Sequence, residues 1–119
     1  MLNIIIFGIP KKIAAIQLKI LQDRCVEGLG LIEVIKEKIK KNEINFFFQS
    51  SRSISEERKN VIILVSGFYT QWLSEDWPSD QLKAKIIESL KKTVTNYLDQ
   101  LESNIRVQCS ILSETLVVQ

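Results

Sequence analysis

The chain contains no histidine. That removes Ser/His/Asp and Cys/His nucleophile systems, histidine–zinc centres and imidazole acid–base work. The residues left to do chemistry are few. Arg52, in SSRSI, and Arg106, in IRVQ, each carry a planar fork of N–H donors that can hold a carboxylate by two parallel hydrogen bonds. The segment GFYTQWLSEDWP holds four of the chain's nine aromatic residues: Phe68, Tyr69, Trp72 and Trp77. Such a cluster walls a site for a small organic ligand, forms a subunit contact, or anchors a long loop on its own core. All three readings stay open from the sequence. Glu75 and Asp76 stand together without a second acidic cluster near them, so no metal site is expected. There is no glycine-rich phosphate loop, and no cofactor is expected. Cys25 and Cys109 lie far apart in apolar-periodic segments and are expected as small, buried, free thiols of a cytoplasmic protein.

These residues need a frame, and 119 residues with 45% hydrophobic and 25% charged side chains suit one soluble domain with a real core. A net charge of +2 is too small to point to nucleic acid or an anionic membrane surface. The basic stretch IKEKIKK (Ile35–Lys41) is broken by Glu37 and by apolar residues at helical spacing, and reads as a solvated helix face rather than a phosphate-binding patch. The opening MLNIIIFGIP is not expected to be a signal segment, because its apolar run is short, no basic residues precede it, and its lysines, Lys11 and Lys12, follow it. Nothing approaches the ~18 consecutive apolar residues of a membrane span.

The apolar pattern runs through the same order twice. Leu2–Ile9 is apolar on both alternating faces, with Leu2, Ile4 and Ile6 on one and Ile5, Phe7 and Ile9 on the other, as in a strand covered on both sides. Pro10 terminates it. A helical pattern starts at Lys11, with Ile13, Ile16 and Ile20 on one side and Ala14, Leu18, Leu21 and Cys25 beside them, until GLG (Gly28–Gly30) interrupts it. A shorter amphipathic stretch, Leu31–Lys40, leads to an aromatic strand, INFFFQS (Ile44–Ser50). The second half opens with VIILVSG (Val61–Gly67), again apolar on both faces. Ser79 is placed as an N-cap, and Leu82, Ile86, Ile87, Leu90, Val94, Tyr97, Leu98 and Leu101 form one helical stripe. IRVQCSIL closes the unit, with Ile105, Val107, Cys109 and Ile111 facing in and Arg106, Gln108 and Ser110 facing out.

The chain therefore reads as a single α/β (α+β) domain, 1–119, made of two β-α-β units spanning 1–50 and 61–112. Right-handed crossovers put both main helices on one face of a four-stranded mixed sheet. The other face is also apolar, and the same face of further subunits is the economical cover, so a homo-oligomer is expected. Arg106, facing away from the helices, then points at a neighbouring subunit, for an interface salt bridge or a catalytic role. A ferredoxin-like β-α-β-β-α-β domain has the same element order, but the polar SRSISEERKN (Ser51–Asn60) is too long for the tight hairpin such a domain uses.

The arrangement resembles the tautomerase superfamily, in particular 5-carboxymethyl-2-hydroxymuconate isomerase-like and macrophage migration inhibitory factor-like proteins. The similarity is best over NVIILVSGF and DQLKAKIIESLKKTVTNYLDQLESNIRVQCSILSE, and looser over IIIFGI and INFFFQSS. It implies a trimer of double β-α-β chains, and a C-terminal tail, here ETLVVQ, that adds an edge strand to a neighbour. It also implies a site at the start of the first strand, where most of these enzymes carry a proline whose secondary amine, kept neutral, is the general base. This chain has Leu2 there. With Leu2 following it, Met1 is expected to stay, leaving its primary amine as the remaining base, at an ordinary pKa of about 7.7–8. Arg52 falls roughly where the superfamily places pocket-lining groups. The resemblance thus points to Met1 and Arg52 as catalytic candidates and to a small organic acid as ligand. Arg106, from its outward position on the last strand, is a third catalytic candidate, and the clustered Phe68, Tyr69, Trp72 and Trp77 are the candidate substrate-binding residues. Without the proline, the activity expected is weak, altered or absent keto–enol isomerisation. Two alternatives stand beside it: a non-enzymatic protein-binding or assembly module, and a ferredoxin-like regulatory domain for a small ligand.

Overall fold

A computed structural model describes residues 2–50, 59–67, 80–101 and 104–112. Strand β1 (Leu2–Ile9) is followed by helix α1 (Ala15–Gly30), a short helix α2 (Glu33–Lys38), a 3-10 turn at Lys41–Glu43 and strand β2 (Ile44–Ser50). Strand β3 (Lys59–Ser66), helix α3 (Asp80–Asp99) and strand β4 (Ile105–Ile111) form the second unit. The sheet order is β2-β1-β3-β4. β1 pairs with β2 and β3 with β4, both parallel, and the two units meet through antiparallel β1 and β3.

That order excludes the ferredoxin-like alternative. In a split β-α-β arrangement the two strands of a unit are separated by another strand, whereas here they are direct neighbours. It also accounts for the long segment between Ser50 and Lys59. β2 lies at the edge and β1 stands between it and β3, so the chain must pass two inter-strand gaps of ~4.8 Å each rather than close a hairpin.

The helices cover one face. Leu2, Ile4, Ile6, Val61, Ile63 and Val65 are fully buried beneath them, and Val107 nearly so. From α3 the buried residues are Leu82, Ile86, Leu90, Val94, Tyr97 and Leu98, six of the eight in the expected stripe; Ile87 is only half-buried, and Leu101 lies past the helix end at Asp99. α1 differs from expectation. Its buried residues are Leu21, Cys25 and Leu29, while Ile16 and Ile20 are exposed. The helix does end within GLG, at Gly30, and Gly28 inside its last turn is also a point of close approach. A Cβ on Gly28 would lie 2.9 Å from Ser89 Oγ and 3.4 Å from Thr93 Oγ1 of α3. One turn earlier the Arg24 guanidinium lies 4.9 Å from the centre of the Tyr97 ring, a cation–π contact joining the same two helices.

β1 carries one irregularity. At Gly8 the φ angle is +85°, and the register with β2 shifts between Phe7 and Ile9. A Cβ there would stand 2.2 Å from the Asn60 carbonyl oxygen, so both the backbone and the space require glycine. The bulge turns Ile9 to the helix side, where it is 1% exposed. Simple alternation had placed it with Ile5 and Phe7, and the extra residue corrects that by one step.

Candidate functional site

Among the described residues two places are open to a ligand or partner: the uncovered sheet face and a cleft at one end of the helix layer. The uncovered face follows from the strand registers, because paired residues point the same way. Its rows are Asn45, Asn3 and Ser66; then Phe47, Ile5, Leu64 and Ser110; then Gln49, Phe7, Ile62 and Gln108; then Asn60 and Arg106. The two middle rows form an apolar patch, in which Phe47 is 53% and Ile62 39% exposed. At the end where β1 begins, Asn45 Nδ2 donates to Asn3 Oδ1 at 3.2 Å, so the polar row is already tied together within one chain. Arg106 carries the one charge among the described residues of this face, and it is exposed.

The cleft has a volume of about 570 Å³, within the usual ~300–1,000 Å³ of small-molecule sites. Its walls are the last turn of α1 (Val26, Glu27, Gly30, Leu31), α2 with the bend after it (Ile35, Lys36, Ile39, Lys40, Lys41), and Ile44 at the head of β2. Ile44 pairs with Leu2, so the cleft lies at the end of the sheet where β1 starts. Its construction is legible in the local sequence. Ile35 and Ile39, four residues apart, are 1% and 5% exposed and pin the segment to the core. Lys36 and Lys40 each follow one of these anchors and are left exposed on its flank. α2 ends at Lys38, and Ile39 and Lys40 are extended. The Lys40 N–H donates to Glu43 Oε1 at 3.0 Å, and the Glu43 N–H donates to the Lys40 carbonyl at 2.9 Å. This reciprocal pair holds the turn that carries Lys40 and Lys41.

The sequence singled out other residues. Met1, Arg52, Phe68, Tyr69, Trp72 and Trp77 lie outside the described residues, as do the Ser79 cap, the Glu75–Asp76 pair and the ETLVVQ tail. Arg106 is described, and it stands on the uncovered face at the far end of the sheet from Leu2. It pairs with Asn60, beside the end of β1, and the eight residues of β1 at ~3.3 Å each put more than ~20 Å between the two ends. Within one chain Arg106 and the cleft are not brought together. The cleft residues Lys36, Lys40 and Lys41 had been read as a solvated helix face. The available signal was the i, i+4 spacing of Ile35 and Ile39, with a lysine after each.

Cys25 and Cys109 are free. Burial pushes the Cys25 thiol up to about 12, with the nearby Cys109 adding to the rise. Cys109 is pushed up to about 11, also by burial, against a smaller opposing effect of Lys91. Both are therefore neutral thiols at physiological pH, poor nucleophiles and poor metal ligands. Among the described residues, no group of three or more acidic, cysteine or histidine side chains is placed to hold a metal ion, and no helix is long and apolar enough to cross a membrane.

Comparison of the backbone with solved structures gives a consistent answer. The fused 4-OT F6 asymmetric trimer superimposes with a TM-score of 0.58 at 14% identity, over 92% of this chain and 85% of that one. Pt0534 inactivated by 2-oxo-3-pentynoate gives 0.59 at 13% identity, over 99% and 89%. The macrophage migration inhibitory factor-like protein of Entamoeba histolytica gives 0.58 at 16% identity, over 97% and 91%. No family model and no curated protein matches the sequence. The chain has the tautomerase-superfamily fold.

Proposed function

We propose that this protein is a homo-oligomer of tautomerase fold, a trimer, in which keto–enol isomerase chemistry is weak, altered or absent. The observation that carries the assembly is the uncovered sheet face. Phe47, Ile5, Leu64, Phe7 and Ile62 form an apolar patch on the side that none of the described helices covers. The described residues of that face carry no acidic group, so a second copy meets it without opposing like charges beyond Arg106. The fused 4-OT neighbour is itself a trimer.

The reduced activity rests on Leu2. It is the first residue of β1, it is fully buried, and it belongs to the core with Ile4 and Ile6. A side chain packed there presents no group to a substrate. Met1, Arg52 and Arg106 remain the proposed polar groups of the site. Phe68, Tyr69, Trp72 and Trp77 remain its proposed wall, for a small organic acid. A non-enzymatic assembly module is the second reading, favoured by the same apolar face.

Light scattering on a sizing column tests the assembly, with three times the 13.7 kDa chain mass expected. A clean monomer overturns the proposal. Enolisation of phenylpyruvate, followed by ultraviolet absorbance, tests the chemistry. Turnover in the ordinary enzyme range of ~1–1,000 per second would overturn the reduced activity, and no rate above buffer in an assembled protein selects the assembly module.

A further inference from the structure

We propose that the cleft between the end of α1 and α2 binds an amphipathic organic anion, a molecule with an apolar body and one anionic head. This goes beyond the isomerase and assembly reading and does not depend on it. The cleft is formed by one chain, lies on the helix side of the sheet, and does not involve the uncovered face.

Three observations select the ligand class. The floor is apolar, formed by the nearly buried Ile35, Ile39 and Ile44. The rim is cationic: Lys36, Lys40 and Lys41 line it against one carboxylate, Glu27. Among the described residues the three ammonium groups have no ion-pair partner. An apolar body gains by leaving water on such a floor, and the head gains a charge-assisted contact at the rim. A neutral apolar ligand leaves the lysines unused, and a small inorganic anion leaves the floor unused. Ammonium groups are compact point charges without the planar match of a guanidinium, so they accept a carboxylate, sulfonate or phosphate head alike.

Leu31 adds a further element. It is 87% exposed at the mouth of the cleft. An apolar side chain held in water at the edge of an apolar floor has somewhere to go when a ligand body arrives, and it then covers that body.

The test is amide NMR titration of the whole chain with three probes: octanoate, octanol and acetate. Octanoate is expected to perturb residues 26–41 and Ile44, with affinity at least tenfold above that of octanol, while acetate produces no saturable change. Octyl phosphate in place of octanoate distinguishes the head groups, and its binding to the same residues supports the proposal equally. Raising the salt is expected to weaken octanoate and leave octanol unchanged. Two variants check the site. Lys36→Gln with Lys40→Gln, both on exposed positions, should bring octanoate down to octanol. Gly30→Phe should abolish both without loss of fold, because a Cβ at Gly30 meets nothing within 4 Å and the ring fills the cleft. Equal binding of octanoate and octanol by the wild type, perturbations confined to the sheet face, or undiminished binding by Gly30→Phe would each overturn the proposal. A monomeric or catalytically inert protein would not, which keeps its failure separate from that of the proposed function.

Discussion

Ile62 and Ile63 are neighbours on β3, identical in chemistry and separated by one peptide bond. Ile63 is fully buried under the helices, and Ile62 is 39% exposed on the other side of the sheet. The same contrast recurs at Phe46 and Phe47, with Phe46 turned toward the core and stacked on Phe48 at 6.2 Å between ring centres, and Phe47 turned out and 53% exposed. Both faces use the same residue types. What separates them is the number of layers: two main helices cover one face, and nothing within the described chain covers the other. The lesson is that apolar content measures what a face requires for cover, and not where the cover comes from.

The covered face carries folding stability, and a mutation there has the largest effect. Ile63→Ala removes three carbons from a site with no exposure, and is expected to cost about 2–5 kcal/mol by urea unfolding. A cost under ~1 kcal/mol would mean that the two faces are less different than their burial. Gly8→Ala comes next. The positive φ alone costs on the order of 1–3 kcal/mol, and the added Cβ must push the Asn60 carbonyl away. Because the bulge turns Ile9 inward, this variant should also shift the amide signals of Ile9 and Asn60 while leaving α3 in place.

Cys25 gives a pH-dependent form of the same contrast. Its thiol titrates near 9.0 when exposed and near 12 in the folded chain, because burial disfavours the thiolate. Below pH 9 both states keep the proton and stability is unaffected. Between pH 9 and about 12 the unfolded chain loses it and the folded chain does not, so stability falls as pH rises, by about 1.4 kcal/mol per pH unit at most. Unfolding curves at pH 8, 9.5 and 10.5 should steepen this loss in wild type relative to Cys25→Ala. Parallel curves for the two proteins would mean that Cys25 is solvated in the folded state.

How much of this was legible beforehand varies by element. INFFFQS was read as a strand over the residues that form it, and the six buried residues of α3 all fell in the stripe read for it, which also took in Ile87 and Leu101, because each segment has one dominant period and clear polar flanks. α1 was legible as a helix but not in its orientation. Ile16, Leu18, Ile20 and Leu21 are apolar around much of its circumference, so periodicity does not choose a stripe, and the approach of Gly28 to Ser89 does. The bulge at Gly8 escaped because alternation alone does not mark an inserted residue in a run apolar on both faces; its one signal was the glycine itself. The cleft escaped for a related reason. IKEKIKK has helical spacing throughout, but the helix stops at Lys38, and only the turn fixed by Glu43 brings Lys40 and Lys41 to the same rim as Lys36.

The smallest effect on folding is expected on the uncovered face, and it is the most informative. Ile62→Gln and Phe47→Gln replace partly exposed apolar groups, so each should change the stability of dilute, dissociated chains by no more than ~0.5 kcal/mol. If copies of the chain cover this face, the same substitutions bury an amide without a partner at every contact, which costs about 1–3 kcal/mol each. Assembly should then be lost at protein concentrations where the wild type is fully associated, with the unfolding midpoint of the dilute chain unmoved. Light scattering and urea unfolding on the same samples separate the two quantities. A variant that loses both together would show that Ile62 supports its own chain as Ile63 does. A variant that loses neither would show that the apolar patch is tolerated in water. Loss of assembly alone is the outcome that makes the two faces distinct, one built for folding and the other for contact between chains.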